Sequence, residues 1–314
     1  MMILSLICWG SWANTQKLAT KIRFEYFYLD YCIGVVATSF TIALIFGGSE
    51  QDNISFLSNI LKADTLDIIY AFLGGIVFNI ANFLLVVAIE MAGMAVAFPV
   101  AIGIATIFGG LLNYLIEPKG YLPLFSMGMV MMLLAVVSAS LAYGKIKSVE
   151  SKSKKKGLLI ALFCGLMMSL WSPIVTYSYL PGVGTLDVFS AFSIMSLGII
   201  TSSLSLFSVL IKNPIIPPKV NDNIAYLNEA PKKHIGGILG GIIWSIGTIS
   251  FYLASTRAGA AVAYTFGQGA PLMATAWGLF VWKEFKGAEG SKKFLVALFT
   301  FYIAGLILLA KAGS

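Results

Sequence analysis

Charge is scarce in this sequence. Only 11% of its 314 residues are Asp, Glu, Lys or Arg, against 58% hydrophobic, and the mean hydropathy is +0.88. A soluble domain carries about a quarter charged residues, so this chain cannot build a water-facing shell and must face lipid. Its net charge of +7 therefore reads as loop asymmetry across a membrane rather than as a nucleic-acid surface. Histidine occurs once, at His234, in what reads as a loop beside Lys232 and Lys233; cysteine occurs three times, at Cys8, Cys32 and Cys164, all inside apolar runs. An odd cysteine count without a CxxC, and one histidine without companion ligands, exclude a disulfide framework and a metal centre. The sequence contains no GxxxxGK[ST], no HExxH and no plausible Ser–His–Asp set, so ATP drive, enzymatic catalysis and a bound cofactor are not expected. No charged residue stands at the centre of a long apolar run, which points to a neutral solute.

Long apolar runs are abundant. A membrane helix needs ~20 mostly apolar residues to cross ~30 Å of hydrocarbon. Ten runs qualify: Met2–Ala19, Tyr28–Gly47, Leu66–Glu90, Gly93–Leu115, Leu122–Tyr143, Gly157–Leu180, Leu186–Ile211, Ile235–Ser255, Gly259–Trp282 and Phe294–Ala310. Met2–Ala19 lacks a basic leader and a small-residue cleavage site, so it is read as a span rather than a signal peptide. Seventeen of the 21 Lys and Arg fall in loops after odd-numbered spans. That bias puts those loops in the cytoplasm and both termini outside, in a multi-pass protein of the inner (plasma) membrane. The basic run SKSKKK at 151–156 divides the chain into residues 1–144, a linker 145–156, and residues 157–314.

The two parts share phrases. AGMAVAFP at 92–99 returns as AGAAVAYT at 258–265, and GGIVFNIANFLL at 74–85 as GGIIWSIGTISF at 240–251, both at an offset of 166. Gly74, Gly75 and Gly93 meet Gly240, Gly241 and Gly259, while Asn79 and Asn82 meet Ser245 and Thr248. A repeat of five spans must insert its second copy upside down. The expected fold is therefore all-α integral membrane, with ten transmembrane helices as two inverted five-helix repeats around a site at mid-depth. Gly236/Gly240 and Gly237/Gly241 form GxxxG pairs, which allow close helix crossings.

Candidate site residues follow from what is costly to place in hydrocarbon. Asn79 and Asn82 lie three apart, on one helical face. An unsatisfied amide there costs several kcal/mol, so the face turns inward. It either bonds a neighbouring helix or offers a donor and an acceptor to a solute. Trp9, Trp12, Trp171 and Trp244 fall mid-span rather than at the interface; with Ser245 and Gln268 they complete the candidate substrate slot. Pro99, Pro173 and Pro271 interrupt helical bonding and are candidate hinges. Asp30 and Asp187 each read as opening a helix, where Asp suits the N-cap. For proton coupling, Glu90 is the first candidate and Asp30 the second.

Three stretches carry a family resemblance: FYLDYCIGVVATSFTIALIFG (27–47), the block from Gly74 to Gly120, and AGAAVAYTFGQGAPLMATAWGLFVWKEF (258–285). With Leu29–Asp30–Tyr31 and Trp282–Lys283–Glu284 as the sharpest motifs, the chain resembles the ureide permeases. These are ten-helix members of the drug/metabolite transporter superfamily, near its glucose/ribose uptake branch. The resemblance implies a secondary transporter that imports allantoin or related oxo-heterocycles such as uracil and xanthine, with protons; the Gly-rich faces and the two halves within one chain leave monomer or homodimer as the expected state. The plant members' long central loop is replaced here by the short Gly144–Lys156 connection. The expected function is alternating-access transport of a small neutral metabolite, a ureide, nucleobase or sugar. An exporter of the same superfamily is the alternative, and a membrane scaffold or intramembrane enzyme ranks lower.

Overall fold

The computed structural model describes residues 1–18, 22–49, 54–146, 154–212 and 226–314. Its helices are α1 Met2–Ser11, α2 Thr15–Leu18, α3 Phe24–Phe46, α4 Phe56–Lys62, α5 Thr65–Ala92, α6 Met94–Ile104, α7 Gly110–Ile116, α8 Leu122–Tyr143, α9 Lys154–Tyr179, α10 Val188–Leu210, α11 Pro231–Ala258, α12 Ala260–Gly267, α13 Ala270–Ala276 and α14 Ser291–Ala312. A two-residue ladder, β1 Gly48–Ser49 with β2 Ile54–Ser55, precedes α4. Eight helices among the described residues are long and apolar enough to cross a membrane. They are α3, α5, the continuous α6–α7 segment, α8, α9, α10, α11 and α14.

Ten uninterrupted spans were expected; the first and ninth runs are broken instead. After α1 the chain makes a 3-10 turn at Trp12–Asn14. There Asn14 Nδ2 donates to Ser11 O (3.1 Å) and Thr15 Oγ1 to Trp12 O (2.8 Å), so side chains compete with the helical ladder for carbonyls. In the ninth run α12 stops at Gly267, and α13 restarts with Pro271 in its first turn. Pro271 thus begins a helix, where its missing N–H costs little, whereas Pro99 and Pro173 lie inside α6 and α9. Five-residue π turns follow at Ala105–Gly109, joining α6 to α7, and at Trp277–Val281, after α13. Of the expected linker 145–156, residues 147–153 lie outside the described residues, and Lys154–Lys156 belong to α9.

α5 packs on α9 and α10, α11 on α3 and α1, α8 on α14, and α3 on α10. α3 and α10 run antiparallel, since Cys32 Sγ meets Ser203 Oγ (2.9 Å) and Ser39 Oγ donates to Ser196 Oγ (2.8 Å). α5 and α11 are each 28 residues, α3 and α10 each 23, α8 and α14 each 22. α5 ends on Gly93 (φ 79°) and α11 on Gly259 (φ 89°), a backbone region that only glycine enters freely. Two crossings hold the bundle centre. A β-carbon on Gly75 would overlap Met195 O and one on Gly198 would overlap Phe72 O; on Gly241 it would overlap Tyr31 O and on Gly34 Ile238 O. Helix association in lipid relies on such close packing.

Gly75→Ala should lower stability by about 1–3 kcal/mol, since the added carbon meets backbone that cannot turn away. Gly103→Ala, whose β-carbon would sit 3.9 Å from Leu133 Cδ2, should be near neutral. Thermal unfolding in detergent compares the two, and equal midpoints would remove the crossing from the account.

Candidate functional site

Three groups of side chains meet around one turn of α3, from Tyr28 to Tyr31. The first is an amide network. Tyr28 OH donates to Asn79 Oδ1 (2.9 Å) and accepts from Asn82 Nδ2 (3.1 Å). Asn79 Nδ2 donates to Ser202 Oγ (3.0 Å), and Ser203 Oγ donates to Asn79 Oδ1 (3.3 Å). Both amides are buried, and together they tie α5 to α3 and α10. The shared face expected for Asn79 and Asn82 is therefore present, with phenol and hydroxyl partners from neighbouring helices.

The second group is an aromatic wall through the bundle centre. Trp12 lies over Tyr31 (ring centroids 4.6 Å), Tyr31 meets Trp244 edge-on (6.1 Å), Trp244 packs on Phe78 (4.7 Å), Phe78 on Trp171 (5.4 Å), and Trp171 on Trp9 (6.2 Å). The four candidate tryptophans are thus brought together. Trp9 Nε1 donates to Thr248 Oγ1 at 3.0 Å. Tyr31 OH and Trp171 Nε1 are buried without a hydrogen-bond partner. A buried orphan donor costs about 1–3 kcal/mol, and this wall carries two of them. Ser245 is buried beside α3, its Oγ donating to Val35 O at 3.5 Å, and Gln268 caps α12 at the break.

Of the third group the sequence offered only Asp30, as the second proton-coupling candidate; its partners His234 and Tyr226 went unread. Asp30 was expected to open a helix. It lies instead in the second turn of α3, whose N-cap is Arg23, and its side chain is almost completely buried. Asp187 does cap α10, accepting from Phe189 N (2.7 Å) and Ser190 N (3.0 Å). His234, read as a loop residue, stands in the first turns of α11. Its Nδ1 lies 3.0 and 2.9 Å from the two oxygens of Asp30, and Tyr226 OH donates to Asp30 Oδ1 at 2.5 Å. Burial, then the adjoining carboxylate, holds the Tyr226 phenol well above its ordinary pKa, so it remains a donor. Glu90 lies in the last turn of α5, with its side chain outside the described residues. Nothing local links residues 204 positions apart; only the α3–α11 crossing does.

Eight long apolar helices among the described residues make this a multi-pass membrane protein. A sequence model of the ureide permease family matches residues 142–311, more than half of the chain. The chain belongs to the ureide permease family; its members are transporters, and this protein is a membrane transporter, not an enzyme. It is 23% identical to ureide permease 2 of Arabidopsis thaliana over 384 residues, covering 99% of this chain and 96% of that one. Ureide permease 4 of the same plant is 24% identical over 387 residues, with the same shares covered. One protein of known crystal structure superposes over 100% of this chain and 97% of its own, with a TM-score of 0.67 at 16% identity, a likeness of fold.

Tyr28→Phe leaves Asn82 Nδ2 without its acceptor and removes one of two donors to Asn79 Oδ1. The expected loss is about 1–3 kcal/mol, read as a lower thermal midpoint; an unchanged midpoint would show that the phenol bridge carries no stability.

Proposed function

We propose that the protein carries a small, neutral, flat oxo-compound, a ureide such as allantoin, across the membrane by alternating access. The observation that carries this is the aromatic wall with two unpartnered donors, Tyr31 OH and Trp171 Nε1. A planar ring stacks on such a wall, and its carbonyl oxygens are the acceptors those donors need. The names of the relatives point to the same chemistry. Trp9, Trp12 and Trp244 supply the remaining faces, with Ser245 and Gln268 as further candidate contacts. Asn79 and Asn82 hold the surrounding helices and reach a ligand only where Tyr28 turns aside.

The ten segments act as two inverted five-helix repeats, residues 1–144 and 157–314, that rock about this wall. Supporting this reading, α5 and α11 start 166 positions apart and end on equivalent positive-φ glycines. The crossings also exchange in register: Phe72 and Gly75 correspond to Ile238 and Gly241 at +166, Tyr31 and Gly34 to Met195 and Gly198 at +164. Pro99, Pro173 and the Gln268–Pro271 break are the hinge candidates. The starts of α3 and α11 face the cytoplasm on this reading, which the bias of Lys and Arg toward the loops after odd-numbered spans supports. Transport is driven by a proton gradient, with Asp30 and Glu90 as the carboxylates available.

Uptake of labelled allantoin into liposomes tests the site. Trp171→Phe and Tyr31→Phe should each raise KM about tenfold, the equivalent of ~1.4 kcal/mol, with expression retained. Unchanged KM in both variants would contradict the wall as the substrate site.

A further inference from the structure

The deeper assignment rests on the transport reading just given and concerns where the coupling proton sits. We propose that His234 and Asp30 together form the proton-binding site, and that a proton bound there fastens the starts of α3 and α11 to each other, closing that end of the bundle. The pair bridges two helices whose starts share one end: Gly237 on α11 has no β-carbon, and one added there would overlap Asp30 Cβ. A carboxylate this buried needs donors on its oxygens. Tyr226 OH supplies one and His234 Nδ1 the other. With Nδ1–H directed at Asp30, the imidazole keeps Nε2 for a second proton, and the His234 side chain is 18% exposed. Proton binding at Nε2 converts an imidazole–carboxylate hydrogen bond into an imidazolium–carboxylate pair across the helices. Separation of α3 from α11 removes the carboxylate, and the proton leaves Nε2 to water at that end. Imidazole is the side chain whose charge changes in the physiological range.

Among the described residues, several nearby charges have partners of their own. On α3, Glu25 is engaged by Arg23 at 3.4 Å, and Glu229, just before α11, by Lys233 at 2.6 Å. Lys17 on α2 is turned to Glu284. The end of α10 contributes Phe207, which packs on Tyr226 and Tyr26. Tyr226 in turn meets the His234 ring edge-on at 4.8 Å.

Because His234 is the only histidine, selective histidine labelling gives one imidazole signal, whose NMR titration in detergent or nanodiscs reads this site directly. The wild type should show a single proton-binding midpoint. Asp30→Asn should weaken proton affinity at least tenfold, because an opposite charge in contact favours the charged imidazole; the same midpoint in both would overturn the proposal. This arm requires no substrate, so it fails or succeeds independently of the allantoin reading. In liposomes, His234→Asn keeps a donor near the Nδ1 position but cannot titrate. Allantoin accumulation driven by a pH gradient should be lost in that variant, and a wild-type pH profile there would likewise refute the site. Intrinsic tryptophan fluorescence and elution volume identify any variant that has failed to fold. If His234→Asn fails, the titration comparison still decides.

Discussion

Everything in this bundle depends on two places where helix backbones touch. Between α3 and α11, and again between α10 and α5, glycines let a carbonyl of one helix lie where a β-carbon would otherwise be. In lipid no hydrophobic force drives such contacts, since the surroundings are as apolar as the side chains. Close packing and interhelical hydrogen bonds must do it. Once α3 lies against α11 and α10, the rest is placed. Tyr28 reaches Asn79 and Asn82, Tyr31 joins the aromatic wall, and Asp30 meets His234.

A consequence is that one helical turn serves three purposes. The Leu29–Asp30–Tyr31 motif puts a carboxylate on the α11 side and a phenol on the wall, while Tyr28 holds the amides. On the proposed mechanism, substrate at the wall and proton at Asp30–His234 are linked by that single turn, with no longer pathway required. The opposite end has its own polar contacts: Asp67 Oδ2 accepts from Thr185 N (2.8 Å) and Thr185 Oγ1 (2.6 Å), and Asn59 Oδ1 accepts from Asp187 N (3.0 Å). Those groups join the start of α5 to the start of α10 without a histidine. The proposed difference between the two ends is thus chemical, one closing with a titratable pair and the other without.

How much of this was legible in the sequence varied with the range of the interaction. Hydropathy located Leu122–Tyr143 to the residue and the ends of α5 to within two, because lipid exposure acts on every residue of a span. It missed the breaks after Ser11 and Gly267, where local side-chain bonds and a Gly-Gln-Gly-Ala-Pro stretch override a uniformly apolar window. His234 was placed in a loop because it stands beside Lys232 and Lys233, just before the apolar run that begins at Ile235. Pro231 at the first helical position was the signal that could have corrected this. The inward face of Asn79 and Asn82 was readable from spacing alone. Their partner Tyr28, and the pairing of Asp30 with His234, belong to tertiary contacts that no local pattern encodes.

The central claim is that the two ends open in alternation. In a variant lacking Cys8, Cys32 and Cys164, spin labels at Lys232 and Lys286 would report the end where α3 and α11 start, and labels at Leu66 and Val183 the end where α5 and α10 start. Pulsed electron–electron distance measurements across a pH series and with allantoin should show one distance lengthening as the other shortens. Both distances staying fixed, or both lengthening together, would contradict the account.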